Sequence, residues 1–108
     1  MYYLEKKMEI AGAHRLDLDY DSKCKNLHGH NWIITVFCKS DVLDKNGMIV
    51  DFTAIKAHVM QLDHANLNDF IDNPTAENIA KWFCDMIPFC YRVDVEESEN
   101  NKVSYVQD

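Results

Sequence analysis

His28-Gly29-His30-Asn31-Trp32-Ile33-Ile34-Thr35-Val36-Phe37-Cys38-Lys39 decides how the chain folds. From Trp32 to Phe37 the residues are β-branched or aromatic, the types that pack well on a pleated surface, so the run reads as a strand. Its apolar residues are nearly continuous, whereas an antiparallel strand with one wet face alternates. Both faces of this strand therefore need cover. Upstream, Tyr2 to Ala13 reads as a partner strand, with Leu4, Met8 and Ile10 on one parity and Lys7 and Glu9 on the other. Between them, Arg15 to Lys25 is polar and reads as a loop.

Downstream, Asp44-Lys45-Asn46-Gly47 is a turn signal. A helix begins near Asp51 or Thr53, with Phe52, Ile55, Val59 and Leu62 as its apolar stripe. Leu62 to Asp72 is a connection. A second helix starts at Thr75, a good N-cap preceded by Pro74 and followed by Glu77 in the first turn. Ile79, Trp82, Phe83, Met86 and Ile87 form its apolar face, and Pro88 closes it. Tyr91 to Glu97 alternates and reads as a third strand, with Tyr91, Val93, Val95 and Glu97 inward. After a turn over 98–101, Lys102 to Val106 is the fourth. The order β-β-α-α-β-β predicts an α+β fold: an antiparallel four-stranded sheet with two helices on one face, residues 1–108 forming a single domain. The helices cover one side of the central strand, and a second copy of the chain covers the other, so a homo-oligomer is expected.

Eleven Lys and Arg against eighteen Asp and Glu give a net charge of −7. Such a chain is poorly suited to coating a phosphate backbone, so no nucleic-acid partner is expected. No window approaches the ~18 consecutive apolar residues of a membrane span. Met1 to Glu9 lacks the layout of a secretion signal. The expectation is a cytoplasmic protein without a membrane partner. Its four cysteines then read as free thiols, Cys38, Cys84 and Cys90 buried and Cys24 apart in a polar stretch between Lys23 and Lys25.

Chemistry concentrates in the histidines. His28 and His30, two apart on a strand, point to one face, their Cα atoms roughly 6–7 Å apart. His14 ends the preceding strand, so a hairpin brings it beside them. Three neutral imidazoles with an open fourth position make a catalytic-type Zn²⁺ site. A His-x-His alone is also compatible with a turn or a solvated strand end. His58, inside the first helix, reads as an ordinary surface or packing residue. Cys24 is a fourth ligand, closing the site, or a nucleophile or base beside an open one, or else an ordinary loop cysteine with neither role. Asp63-His64 is a candidate proton-transfer pair, or else a polar helix end. Glu97 is an inward carboxylate at a strand end, suited to a guanidine-like ligand edge, or else a solvated turn residue.

Ala13-His14-Arg15-Leu16, Cys24-Lys25-Asn26-Leu27-His28-Gly29-His30-Asn31-Trp32, Gly47-Met48-Ile49-Val50-Asp51-Phe52, Leu62-Asp63-His64-Ala65-Asn66-Leu67-Asn68-Asp69 and Pro74-Thr75-Ala76-Glu77-Asn78 occur in this order. Together they resemble the 6-pyruvoyl-tetrahydropterin synthase and 6-carboxy-tetrahydropterin synthase family. The resemblance implies the tunnelling fold, in which sheets of three subunits close into a barrel and two trimers stack. It implies zinc held by His14, His28 and His30, a catalytic Cys24 and a catalytic Asp63–His64 pair. It makes Glu97 the anchor of the pterin ring and Thr75 a further pterin contact. The three residues between Cys24 and His28 resemble the bacterial 6-carboxy-tetrahydropterin synthases of queuosine synthesis, whereas mammalian-type pyruvoyl enzymes carry a longer insertion. A third branch, linked to folate synthesis, puts a glutamate in the region of the cysteine. The implied reaction turns 7,8-dihydroneopterin triphosphate into 6-carboxy-5,6,7,8-tetrahydropterin, triphosphate and acetaldehyde. The pyruvoyl synthase reaction and a non-catalytic, zinc-stabilised pterin-binding module are the alternatives. Ile10, Gly12 and Ser98 depart from the family's usual Phe, Ala and Thr, changes that touch the pterin pocket more than the metal.

Overall fold

A computed structural model describes all 108 residues. Two long strands, β1 (Tyr2–His14) and β2 (His28–Ser40), pair antiparallel along their whole length, from Tyr2 opposite Ser40 to His14 opposite His28. Then come α1 (Phe52–Met60), the two-residue β3 (Ala65–Asn66), α2 (Ala76–Met86), β4 (Cys90–Ser98) and β5 (Asn101–Val106). The sheet order is β3-β1-β2-β4-β5.

The α+β architecture and both hairpins are as expected, but the sheet is not four antiparallel strands. β3 adds a fifth, parallel to β1 through Gly12 opposite Ala65 and Ala13 opposite Asn66. A two-residue strand has no periodicity to read. It is docked by local hydrogen bonds: the Ala11 N–H donates to Asp63 Oδ1 (2.9 Å), and the His64 N–H to the Ala11 carbonyl (2.6 Å). A second difference is a register shift between Phe37 and Cys38, which pair with Arg92 and Cys90 and leave Tyr91 unpaired between them. The extra residue reverses the alternation locally. Tyr91 therefore turns away from the core and meets the rings of Phe37 and Tyr3, 6.4 and 6.2 Å between centroids.

Even-numbered positions of β1 and β2 face the helices. Ile10, Trp32, Ile34 and Val36 pack with Val93 and Val95 of β4, Ile55 and Val59 of α1, and Ile79 and Phe83 of α2 in one core. Asp51 caps α1, accepting the Thr53 N–H at 2.8 Å, and Thr75 caps α2, accepting the Asn78 N–H at 3.1 Å. Phe52, read as part of the buried stripe, is exposed, because it opens the helix outside the packed turn. Cys38, Cys84 and Cys90 lie in the core; burial pushes the Cys84 thiol up to about 12, so it stays protonated and inert.

The opposite face of β2 carries Ile33, Thr35 and Phe37, only half covered. Asp94 lies on this face and is 4% exposed. Arg92 grips it with two hydrogen bonds, Nε at 2.9 Å and a terminal nitrogen at 3.0 Å, and Lys102 lies 3.6 Å away. Burial pushes the Asp94 carboxyl up, but the hydrogen bonds from Arg92 and Ser104 and the two cationic charges outweigh it and hold it below the usual range. A depressed folded value adds stability above the ordinary carboxylate range, lost as pH falls through the folded value. Asp94→Asn is expected to cost about 1.5–3 kcal/mol at neutral pH, as loss of a charged hydrogen-bond acceptor does. In urea unfolding, that gap should narrow as pH falls below about 4; a gap constant with pH would contradict the assignment.

Candidate metal centre and active site

The β1–β2 ladder ends at His14 and His28, and the pleat puts His30 on their side. Equal strand lengths thus bring three imidazoles to one end of the sheet. Ring centroids are 4.5 Å apart for His14 and His28, 5.2 Å for His14 and His30, and 4.9 Å for His28 and His30. One ligand atom from each lies within 4.8 Å of the others. Trp32 walls the group on the core side, 4.9 Å from His14 and 5.1 Å from His30, and donates its Nε1–H to the Gly12 carbonyl at 3.1 Å.

Two backbone carbonyls set the tautomers. His14 Nδ1 is 2.7 Å from the Pro74 carbonyl, and His28 Nδ1 is 2.7 Å from the Asn26 carbonyl. A carbonyl only accepts, so each Nδ1 carries the proton and each Nε2 presents a lone pair. His14 Nε2 and His30 Nε2 are buried without a hydrogen-bond partner. Orphaned polar atoms buried in this way are costly unless something occupies the space between them. Burial, reinforced by the neighbouring imidazoles, holds His14 below the ordinary histidine range against the opposing Pro74 carbonyl and Glu97. That favours the neutral form that ligates. The donor set fits a divalent ion of the zinc type.

Cys24 sits apart from this trio, within a 3₁₀ turn over Lys23–Lys25 capped by Ser22 Oγ, which accepts the Cys24 N–H at 3.1 Å. It is half-buried, the one cysteine outside the core. Glu97 does reach the cluster. A register shift between Glu96 and Ser98 frees it from the ladder, and its Oε1 lies 3.8 Å from His30 Nε2 with the side chain 32% exposed. Thr75 has its hydroxyl engaged in the α2 cap, next to the Pro74 carbonyl that orients His14.

Asp63 and His64 meet, with Oδ2 3.6 Å from Nε2. They do so at the edge of the sheet, outside the cluster of His14, His28 and His30. His64 is held at φ +58°, and its side chain is 81% exposed. It borders an open cleft of about 540 Å³ whose lining includes Ala11, Gly12, Ala13, Gly29, His30 and Asn31, so one histidine of the trio shares that cleft with His64. Neither the two orienting carbonyls nor Trp32 was legible as part of the site. Backbone groups leave no residue signature, and Trp32, though it closes the Cys24–Trp32 stretch, read as a strand residue without a role at the site.

No helix is long and apolar enough to cross a membrane. Compared with known proteins, residues 3–108 match the family model described as 6-pyruvoyl tetrahydropterin synthase. A 6-carboxy-5,6,7,8-tetrahydropterin synthase of Synechocystis sp. is 33% identical over 121 residues, covering 97% of this chain and 93% of that protein. A dihydroneopterin monophosphate aldolase of Pyrococcus furiosus is 40% identical over 85 residues, covering 75% of this chain and 70% of that protein. Among solved structures, the Caenorhabditis elegans 6-pyruvoyl tetrahydropterin synthase superposes with a TM-score of 0.76 at 25% identity, over 99% of this chain and 96% of that one. With nearly its whole length matched, and its fold shared, the chain belongs to the 6-pyruvoyl tetrahydropterin synthase family.

Proposed function

We propose that this chain is a zinc-dependent 6-carboxy-5,6,7,8-tetrahydropterin synthase, a carbon–carbon lyase that converts 7,8-dihydroneopterin triphosphate and releases triphosphate and acetaldehyde. The observation that carries the reading is the imidazole trio with two orphaned, buried Nε2 atoms and a carboxylate 3.8 Å from one of them. The relative in Synechocystis, similar over almost the full length of both proteins, supports this branch.

His14, His28 and His30 would hold the ion, which when bound supplies Lewis acidity toward side-chain hydroxyls. The remaining work falls to the chain's own groups. Glu97 accepts hydrogen bonds from the 2-amino and N3–H edge of the pterin and so orients the side chain toward the trio. The Cys24 thiolate takes a proton from a side-chain carbon. His64, its ring placed by Asp63, is the second acid–base group. Redox isomerisation of a polyol needs this division, because a proton leaves one carbon and another arrives elsewhere. Thr75 provides a further hydroxyl at the mouth of α2, and Lys23 and Lys25 favour the triphosphate in an otherwise acidic chain.

His64 is largely exposed at the sheet edge, on an open cleft that it shares with His30, so a second copy could complete the site there. The half-covered odd face of β2 supports the same conclusion. We expect a homohexamer of two stacked trimers whose sheets form a barrel, working in the cytoplasm within queuosine synthesis.

A second reading keeps its place, because the chain is also similar to proteins named for other reactions: the Pyrococcus furiosus aldolase and a 6-pyruvoyl tetrahydrobiopterin synthase of Dictyostelium discoideum, 30% identical over 126 residues. Incubation of the zinc-loaded protein with dihydroneopterin triphosphate, and separately with dihydroneopterin monophosphate, followed by mass analysis, separates them. Acetaldehyde and 6-carboxytetrahydropterin from the triphosphate are the expected products. A pyruvoyl product without acetaldehyde, or turnover of the monophosphate alone, would overturn the assignment.

A further inference from the structure

Three asparagines of the 66–78 region, two of them in the motifs above, have no role in that chemistry, yet they converge on the segment that follows His14. β1 ends at His14, so Arg15–Asp17 receives nothing from the ladder with β2. Side chains hold it instead. Asn68 Oδ1 accepts the Arg15 N–H at 2.8 Å while Asn68 Nδ2 donates to the Arg15 carbonyl at 3.0 Å. A primary amide offers an acceptor and a donor side by side, as a peptide group does, imitating one rung of a strand. Asn73 Oδ1 accepts the Asp17 N–H at 2.8 Å. Between them, the Leu16 N–H donates to the Cys24 carbonyl at 2.8 Å. The same three residues thus join the ligand, the cysteine turn and the start of α2.

Asn78 holds the other side of the arrangement. Its Nδ2 donates to the Asn73 carbonyl at 2.9 Å, which also accepts the Thr75 N–H at 2.7 Å. Asn73 sits at φ +45°, in the left-handed region that asparagine tolerates better than most residues. The next carbonyl along the chain, that of Pro74, is the one that receives the His14 Nδ1 proton. Fixing the Asn73–Pro74 backbone therefore fixes the acceptor that orients the ring.

We propose that Asn68 and Asn78 are positioning residues for the metal ligand His14, one clamping the backbone that follows it and the other the Pro74 carbonyl that orients its ring. The inference rests on the reading of the trio as a metal site and goes beyond it. Both asparagines act at one remove, through His14, and neither belongs to the cluster that would hold the ion. The loss on removing such outer partners is typically 10–100-fold in metal affinity.

The test uses the full chain freed of metal, with zinc affinity measured by competition against a chromogenic chelator and melting followed with and without zinc. Asn68→Ala is expected to weaken zinc binding about 10–100-fold and to shrink the zinc-induced rise in Tm. Asn78→Ala should act in the same direction. It keeps the backbone N–H that Thr75 caps, so α2 can still start, and it serves if the Asn68 variant fails to fold. Asn101→Ala is the control: it loses an asparagine hydrogen bond to Ser98 Oγ (2.8 Å) at the β4–β5 turn and should leave zinc affinity unchanged. Native-like zinc affinity in both Asn68→Ala and Asn78→Ala overturns the clamp even if their metal-free forms melt earlier. A wild-type protein that does not bind zinc overturns the metal reading itself, and the clamp with it, which is a distinguishable result.

Discussion

His28→Ala is expected to leave a folded protein that no longer retains zinc and turns over at least about a thousandfold more slowly. A metal acting as Lewis acid contributes several kcal/mol to the transition state, and each 1.36 kcal/mol is a factor of about ten. His28 is the ligand of choice for this test because of where it sits. His14 is fully buried, so its removal would open a cavity and break the bond to Pro74 as well as the site. The His28 ring is only half-buried, and its one hydrogen bond is to the Asn26 carbonyl of its own loop. Removing it deletes a ligand without disturbing the core built by Trp32, Ile34 and Val36. His58→Ala, in α1 and outside the cluster, should bind zinc as the wild type does. Metal analysis after dialysis and a turnover assay decide the matter. Near-native zinc content in the His28 variant would mean that the three imidazoles do not share an ion.

The parts of this site that could be read from residues alone are those fixed by strand period and hairpin closure. Two histidines two apart on a strand must share a face, and a hairpin whose strands have matched lengths must bring the residue that ends one beside the residue that begins the other. The convergence of His14, His28 and His30 follows from those two rules. Glu97 was legible on the same ground, by its parity with Val95. Parity failed at Tyr91, because a bulge leaves no reliable trace in composition and one extra residue inverts every inward–outward assignment on its far side. β3 was hidden for a different reason. Ala65-Asn66 has neither the length nor the β-branched residues of a strand, and it is held there by the Asp63 carboxylate and by the backbone of His64, held at positive φ. The dyad residues read as catalytic thus also dock the strand that borders the cleft, a structural duty that no motif announces.

Replacing Cys24 by alanine should separate chemistry from metal binding. One zinc per chain is expected to remain while turnover falls about 10²–10⁴-fold, the usual loss when a positioned proton-transfer group is removed. The geometry supports both halves of this result. The donor atoms that converge belong to the three histidines, and Cys24 is not among them, so an ion held there would have three protein donors without sulfur. The cysteine's backbone, by contrast, is tied in place: its N–H donates to Ser22 Oγ and its carbonyl accepts from Leu16 N, two residues beyond His14. Those ties involve no side-chain atom of Cys24, so they survive the substitution and the turn keeps its shape. A structural four-ligand site behaves otherwise. Losing one of four ligands from a closed site lowers zinc affinity and folding stability together, because the binding energy of such a site is folding energy. Zinc content, melting temperature and turnover measured on the same preparation therefore give opposite patterns for the two roles. Loss of zinc together with a lowered Tm in the Cys24 variant would make the sulfur a ligand and leave the proposed reaction without its first base.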